Sequence, residues 1–248
     1  LEPSGPKAAL VCFPYAGGNA VNFRSMADAL RDSGLAVYAV ELPGHDLGPK
    51  AAEDEPFASM DQVVAQVAAE ITGLGLGRVM LWGHSSGAAF ALAAAAKLAE
   101  AGVEVARVFL GAQLPGDAAR RRASVTELTG RSNAEIAAAL SSDGGYTELG
   151  ELDAQRTGQI GAAYRHDCVA AHRFLADALD RPPAVKLAAP VTVVAAADDP
   201  STPDSAVRYR DWRFLADQVD LHELVDGGHY FLRTRPADAA EAVLTHTH

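Results

Sequence analysis

The sequence predicts an α/β protein: a mostly parallel sheet covered by helices on both faces and carrying a helical insertion. Short apolar runs alternate with helical patterns, one long stretch holds no buried strand, and a serine-bearing turn joins an apolar run to an alanine-rich helix. A length of 248 residues suits one undivided domain, 1–248. Hydrophobic residues make up 49% of the chain, enough for a large core and too many for a disordered segment.

The runs AALVCF (Ala8 to Phe13), LAVYAV (Leu35 to Val40), RVMLW (Arg78 to Trp82), ARVFL (Ala106 to Leu110) and VTVVAA (Val191 to Ala196) read as buried strands. VDLHEL (Val219 to Leu224) alternates more, as a strand near an edge does. Between them, Asn22 to Asp32 puts Phe23, Met26, Ala27 and Leu30 on one helical face, and Asp61 to Ile71 does so with Val64, Val67, Ala68 and Ile71. Ser59 is placed to cap the second of these helices. From Gln113 to Lys186 the pattern is helical. RSNAEIAAAL has capping-box spacing at Ser132 and Glu135, SSDGGY is a turn, and Gln155 to Leu179 is one helix or two. A helical insertion between two core strands is a candidate lid, with RPPAVKLAAP (Arg181 to Pro190) as the return to the core.

A net charge of −11 argues against nucleic acid as the main partner, because phosphate backbones select basic patches. Two cysteines, Cys12 and Cys168, do not make a disulfide framework, and Cys12 sits within an apolar run. No signal-peptide pattern opens the chain. The alanine-rich stretch after Ser86 is broken by Lys97 and Glu100, so no apolar run is long enough to cross a bilayer. The expectation is a cytoplasmic monomer that binds no membrane.

Gly83-His84-Ser85-Ser86-Gly87 fits G-x-S-x-G, and it follows a strand and opens a helix, as that motif requires. Small flanking residues let the backbone turn sharply there and leave Ser85 at the carboxyl edge of the sheet. The helix start supplies N–H groups and a positive dipole end for a developing oxyanion, with the Ser86 N–H as one donor. A serine nucleophile needs a base, and the base needs an orienting carboxylate. Of eight histidines, His229 in VDGGHYFL directly follows the last strand in a glycine-supported loop. His84 lies within the elbow and should point away from Ser85, while His45 in ELPGHD is expected to line the pocket. His166 and His172 fall in the insertion, His222 alternates within a strand, and His246 and His248 are terminal. The chain order Ser, Asp, His is that of α/β-hydrolases. Asp199, fixed by Pro200 after the fifth run, is the first candidate acid; Asp198 is its rival and Asp117 a more distant one. The second oxyanion donor is expected from FPYAGGNA (Phe13 to Ala20), which contains neither G-x-G-x-x-G nor a Walker lysine. No cluster of residues with metal-ligand spacing is visible in the sequence.

With FPYAGGNAVNF, ELPGH, GHSSGA, DGGYTELGELD, YRHDC, DDP and GGHYFL in this order, the chain resembles the type II thioesterases of nonribosomal peptide and polyketide synthesis. The resemblance implies an α/β-hydrolase fold with Ser85 as nucleophile, His229 as base, Asp199 as its partner, and the Ala16 and Ser86 N–H groups as oxyanion hole. It also implies a lid (about 113–186) over an acyl channel, with Tyr15, His45 and Tyr230 as substrate-binding residues. RHD at Arg165 to Asp167 is similar to an R-x-D element of that lid. Departures are His45-Asp46 where the family usually has arginine and a glutamate, and Ser86 where methionine is common. Integrated terminal thioesterase domains often carry the acid one strand earlier, where this chain has Ala112 and Gln113. The implied activity is hydrolysis of acyl, aminoacyl or peptidyl thioesters from the phosphopantetheine arm of a carrier protein, with no cofactor. The alternatives are a terminal product-releasing domain, a small-ester esterase, and a non-catalytic binding protein on the same fold.

Overall fold

In a computed structural model, which describes residues 8–45, 55–141 and 154–246, six strands form one sheet. They are β1 (Ala8–Phe13), β2 (Leu35–Ala39), β3 (Arg78–His84), β4 (Glu104–Gly111), β5 (Val191–Ala196) and β6 (Val219–Leu224), in the order β2-β1-β3-β4-β5-β6. Every pairing is parallel, so each connection must cross over a face of the sheet, and helices do this. The alternating VDLHEL run is indeed an edge strand, pairing with β5 alone.

The α-helices are α1 (Arg24–Ala29), α2 (Met60–Gly73), α3 (Gly87–Glu100), α4 (Ala118–Gly130), α5 (Asn133–Leu140), α6 (Ala154–Asp180), α7 (Ser205–Arg208), α8 (Phe231–Thr234) and α9 (Pro236–Leu244). Successive strand residues divide between two cores because side chains alternate across the sheet. Val11, Leu81, Leu110 and Val193 pack with α2, α3 and the end of α6 on one face. Leu10, Met80, Phe109 and Val194 pack with α1 and α9 on the other.

Local signals act where the sequence places them. Ser59 caps α2 in a capping box with Gln62, and Ser132 caps α5 with Glu135. The helix expected over 22–32 is instead three short pieces: a 3-10 turn at Ala20–Phe23, α1, and a second 3-10 turn at Arg31–Ser33. Gly34 ends the last in a left-handed conformation (φ 76°). Phe23, Met26 and Leu30 are still buried, so the apolar face survives the breaks.

Between β4 and β5 the insertion holds α4, α5 and α6, the last a single helix of 27 residues. Its stripe Ile160, Ala163, Asp167, Ala171 and Leu175 is buried along the whole length at i+3 and i+4 spacing. The first half packs with Tyr15, Ile136 and Leu140, and the second half joins the sheet core. The expected turn SSDGGY from residue 142 on, the DGGYTELGELD segment, Asp46 and His248 lie outside the described residues.

Candidate active site

The strand order brings four loops to one rim. β1 and β3 are neighbours with Phe13 opposite Gly83, so the loop after β1 stands beside the turn after β3. This is the crevice where the strand order reverses, a usual ligand position in open α/β sheets. β5 and β6 end together, with Ala196 opposite Leu224, which sets the Asp199 loop beside the His229 loop.

Ser85 sits on the β3–α3 turn with φ of 52°, a conformation L-residues rarely adopt. Its N–H donates to the Gly111 carbonyl at 2.7 Å, so the end of β4 fixes the turn. The flanking glycines are required sterically. A Cβ at Gly83 would run into the Gly87 carbonyl and Ala88, and one at Gly87 into the Phe13 and Pro14 carbonyls.

His229 Nε2 lies 3.0 Å from Ser85 Oγ, and its Nδ1 lies 3.1 Å from Asp199 Oδ2. With the proton on Nδ1, the imidazole donates to Asp199 and accepts from the serine hydroxyl. Ser201 braces the pair: its hydroxyl donates to Asp199 Oδ1 at 2.7 Å and stands 2.8 Å from His229 Nδ1. Burial alone would raise the Asp199 carboxyl. Hydrogen bonds from His229 and Ser201, with the charge of His229, outweigh it and hold the group below its ordinary value. Asp198 faces the other way and accepts the Gly228 N–H at 2.8 Å, which shapes the histidine loop. Asp117 caps α4 through the Arg120 N–H.

His84, expected to point away from Ser85, is fully buried on the far side of the turn. Its Nε2–H donates to the His229 carbonyl at 2.7 Å, so it holds the backbone of the histidine loop. Burial, aided by the nearby His229, pushes its pKa down to about 3, so it stays neutral.

Of the expected substrate-binding residues, Tyr15 and Tyr230 form an edge-to-face pair with centroids 5.1 Å apart, under the insertion. Neither lines the cavity that opens on Ser85 and His229. That cavity, about 410 Å³, is bounded by Gln113, Leu114, Arg120, Arg121 and His172 among others. His45 requires a correction. It is buried, 4% exposed, and both ring nitrogens are committed: Nδ1 to the Pro43 carbonyl at 3.0 Å and Nε2 to Asp167 Oδ2 at 2.8 Å. It therefore does not line this cavity. Asp167 was visible in the sequence only as part of an R-x-D element; its partners Gly17 and His45 lie far away in the chain. Among the described residues no group of three or more His, Cys, Asp or Glu is placed to hold a metal ion. No described helix is long and apolar enough to cross a membrane.

A parallel sheet with a strained serine after β3, hydrogen-bonded to a histidine after β6 and through it to an aspartate after β5, defines the α/β-hydrolase class. Within that class the chain belongs to the thioesterase-domain family, which matches residues 8–248. It is thus a hydrolase of thioester bonds. Among solved structures it is similar to the RedJ thioesterase of the prodiginine pathway in Streptomyces coelicolor, with 25% identity and a TM-score of 0.75 over 98% of this chain and 91% of that one. BorB, the type II thioesterase of the borrelidin cluster, gives 25% identity and a TM-score of 0.74 over 99% and 95%. The yersiniabactin-pathway type II thioesterase YbtT shares the fold at 21% identity, with a TM-score of 0.69 over 98% and 94%. No curated protein matches the chain significantly in sequence.

Proposed function

We propose that this thioesterase acts as a type II enzyme of a nonribosomal peptide or polyketide pathway, clearing acyl, aminoacyl or peptidyl groups from the phosphopantetheine arm of a carrier protein. The observation that carries the reading is the hydrogen-bonded line from Asp199 through His229 to Ser85, at 3.1 and 3.0 Å, beside a cavity. Ser85 is the nucleophile. His229 Nε2 takes the hydroxyl proton as Oγ attacks the thioester carbonyl carbon, and Asp199 stabilises the imidazolium that results. The tetrahedral oxyanion is held by the Ala16 N–H of the loop after β1 and the Ser86 N–H at the start of α3. As the intermediate collapses, the carbon–sulfur bond breaks and His229 returns the proton to the departing thiolate. Water, deprotonated by the same imidazole, then attacks the acyl-serine; the acyl carbon–Oγ bond breaks, His229 returns the proton to Ser85 Oγ, and the acid is released. These steps need only protons moved between Ser85, His229 and the reactants, so the enzyme is proposed to work without a cofactor of its own.

A carrier protein as partner, a cytoplasmic setting and a monomeric enzyme complete the proposal. The relatives named type II thioesterases of biosynthetic clusters support the first of these. The cavity lining favours short or polar acyl groups over long alkyl chains, since Gln113, Asp117, Arg120, Arg121, Ser124 and His172 all border it.

The test is intact-mass detection of acyl release from carrier proteins loaded with several acyl and aminoacyl groups, comparing wild type with Ser85→Ala. Ser85-dependent release of many short groups is the expected result. Release of one peptidyl chain alone, above all as a ring, would assign product offloading instead. Cleavage of simple esters without carrier-bound release would leave an esterase.

A further inference from the structure

Asp167 lies on α6, 1% exposed, and takes three donors. His45 Nε2–H and the Gly17 N–H meet its Oδ2 at 2.8 and 2.9 Å, and His166 Nδ1 is 3.2 Å from its Oδ1. The Pro43 carbonyl and the Asp167 carboxylate can only accept. His45 faces one with each ring nitrogen, so with Asp167 ionised, as its lowered carboxyl favours, both nitrogens donate and the ring is an imidazolium. His45 and Asp167 are thus a buried ion pair, with side chains each 2% exposed.

The third partner of this pair gives it a task. Gly17 has φ of 67°, and a Cβ there would press on the Tyr164 backbone N at 3.3 Å, so the loop after β1 runs hard against α6. The Gly17 N–H belongs to the peptide unit that follows Ala16. Anchoring it on Asp167 fixes that plane and with it the rotation of Ala16. We propose that the buried His45–Asp167 pair is a positioning device for the oxyanion loop, by which the lid helix sets the aim of the Ala16 N–H at the thioester oxygen. This rests on the reading of Ser85 and Ala16 given above. Neither His45 nor Asp167 lines the cavity beside Ser85.

Among the described residues the titratable and charged neighbours are few. On α6 they are Asp167 and His166, the latter reached also through the Phe57 ring, which stacks on His166 and sits edge-on to His45. From the segment after residue 54, Glu55 accepts the Gly44 N–H at 3.0 Å. Burial would strip the His45 charge, but the hydrogen bond and charge of Asp167, with the Pro43 carbonyl, outweigh it and hold the imidazole above its ordinary value. Burial likewise disfavours the Asp167 carboxylate, yet His166, His45 and Gly17 keep it below the usual range. As pH rises through the His45 value, one N–H is lost, and the anchor of Asp167 loosens.

The experiment measures kcat and KM for a carrier-bound thioester from pH 6 to 10, with thermal melting as the control for folding. Asp167→Asn keeps the volume but not the charge. It should lower kcat about 10- to 100-fold with KM little changed, the scale on which misaimed groups act. His45→Arg, which keeps a cation on Asp167, should hold kcat near wild type at pH 7 and lack the alkaline fall of the wild-type profile. A folded Asp167→Asn with wild-type kcat, or an alkaline limb identical in wild type and His45→Arg, overturns the proposal. Should Asp167→Asn not fold, the pH comparison decides alone, with His45→Gln as its second variant. Activity retained by Ser85→Ala would instead sink the site on which the proposal stands.

Discussion

At the scale of single residues, a choice between neighbours decides the chemistry. Asp198 and Asp199 stand on one turn, but Asp199 meets the imidazole while Asp198 holds the Gly228 N–H. Asp199→Asn should lower kcat about 10⁴-fold through the wrong imidazole tautomer. Asp198→Asn, which keeps an acceptor for Gly228, should cost far less, and steady-state thioester kinetics separate the two. Ser85 and His229 could be read from the sequence because motif, flanking strand and chain order converge on them. Pro200 favours Asp199 over Asp198 in the sequence but leaves Asp198 a rival, since one residue's step turns a side chain to another face of the turn. His45 was misread for a related reason. Its motif puts it at the rim, but the partner that claims it is 122 residues away.

At the scale of elements, close approach explains more than propensity. A Cβ at Gly161 on α6 would run into the Asn133 carbonyl at the start of α5, so this glycine sets how tightly the two helices pack. Gly161→Ala should destabilise the fold by about 1–3 kcal/mol by overpacking, seen as a lower melting temperature. Gly34→Ala has open space around it and should be limited to the cost of a left-handed residue. The strands were legible because buried parallel strands are continuous apolar runs. α4 gave no comparable signal: it has no fully buried residue, and its arginines serve neighbours, Arg121 donating to the Leu114 carbonyl at 2.6 Å. The broken first helix was legible as an apolar face but not as three pieces, because face periodicity does not count turns.

At the scale of the whole molecule, the buried histidines set the dependence of stability on pH. Burial pushes His84 down to about 3; burial and Arg121 together push His172 down to about 4. In the unfolded chain both protonate near pH ~6.5, so between these limits the unfolded state binds more protons and stability falls as pH drops. His45 acts in the opposite sense. Its raised value contributes fully below pH ~6.5 and is lost as pH rises through the folded value. The lowered Asp167 and Asp199 contribute above pH ~3.9 and lose that contribution as pH falls through their folded values. The melting temperature should peak near neutrality, and His172→Gln should make the acid fall shallower. One further consequence follows from the 27-residue α6, whose first half packs with Tyr15 of the loop after β1 and whose second half joins the sheet core. Both halves share one screw axis. A single residue added between Asp167 and Leu175 would swing everything before it by about 100° and carry Asp167 off the Gly17 N–H of the loop after β1. Changes of length in this protein are therefore barred from the middle of α6, and the span from Asp167 to Leu175 works as a ruler for the active site.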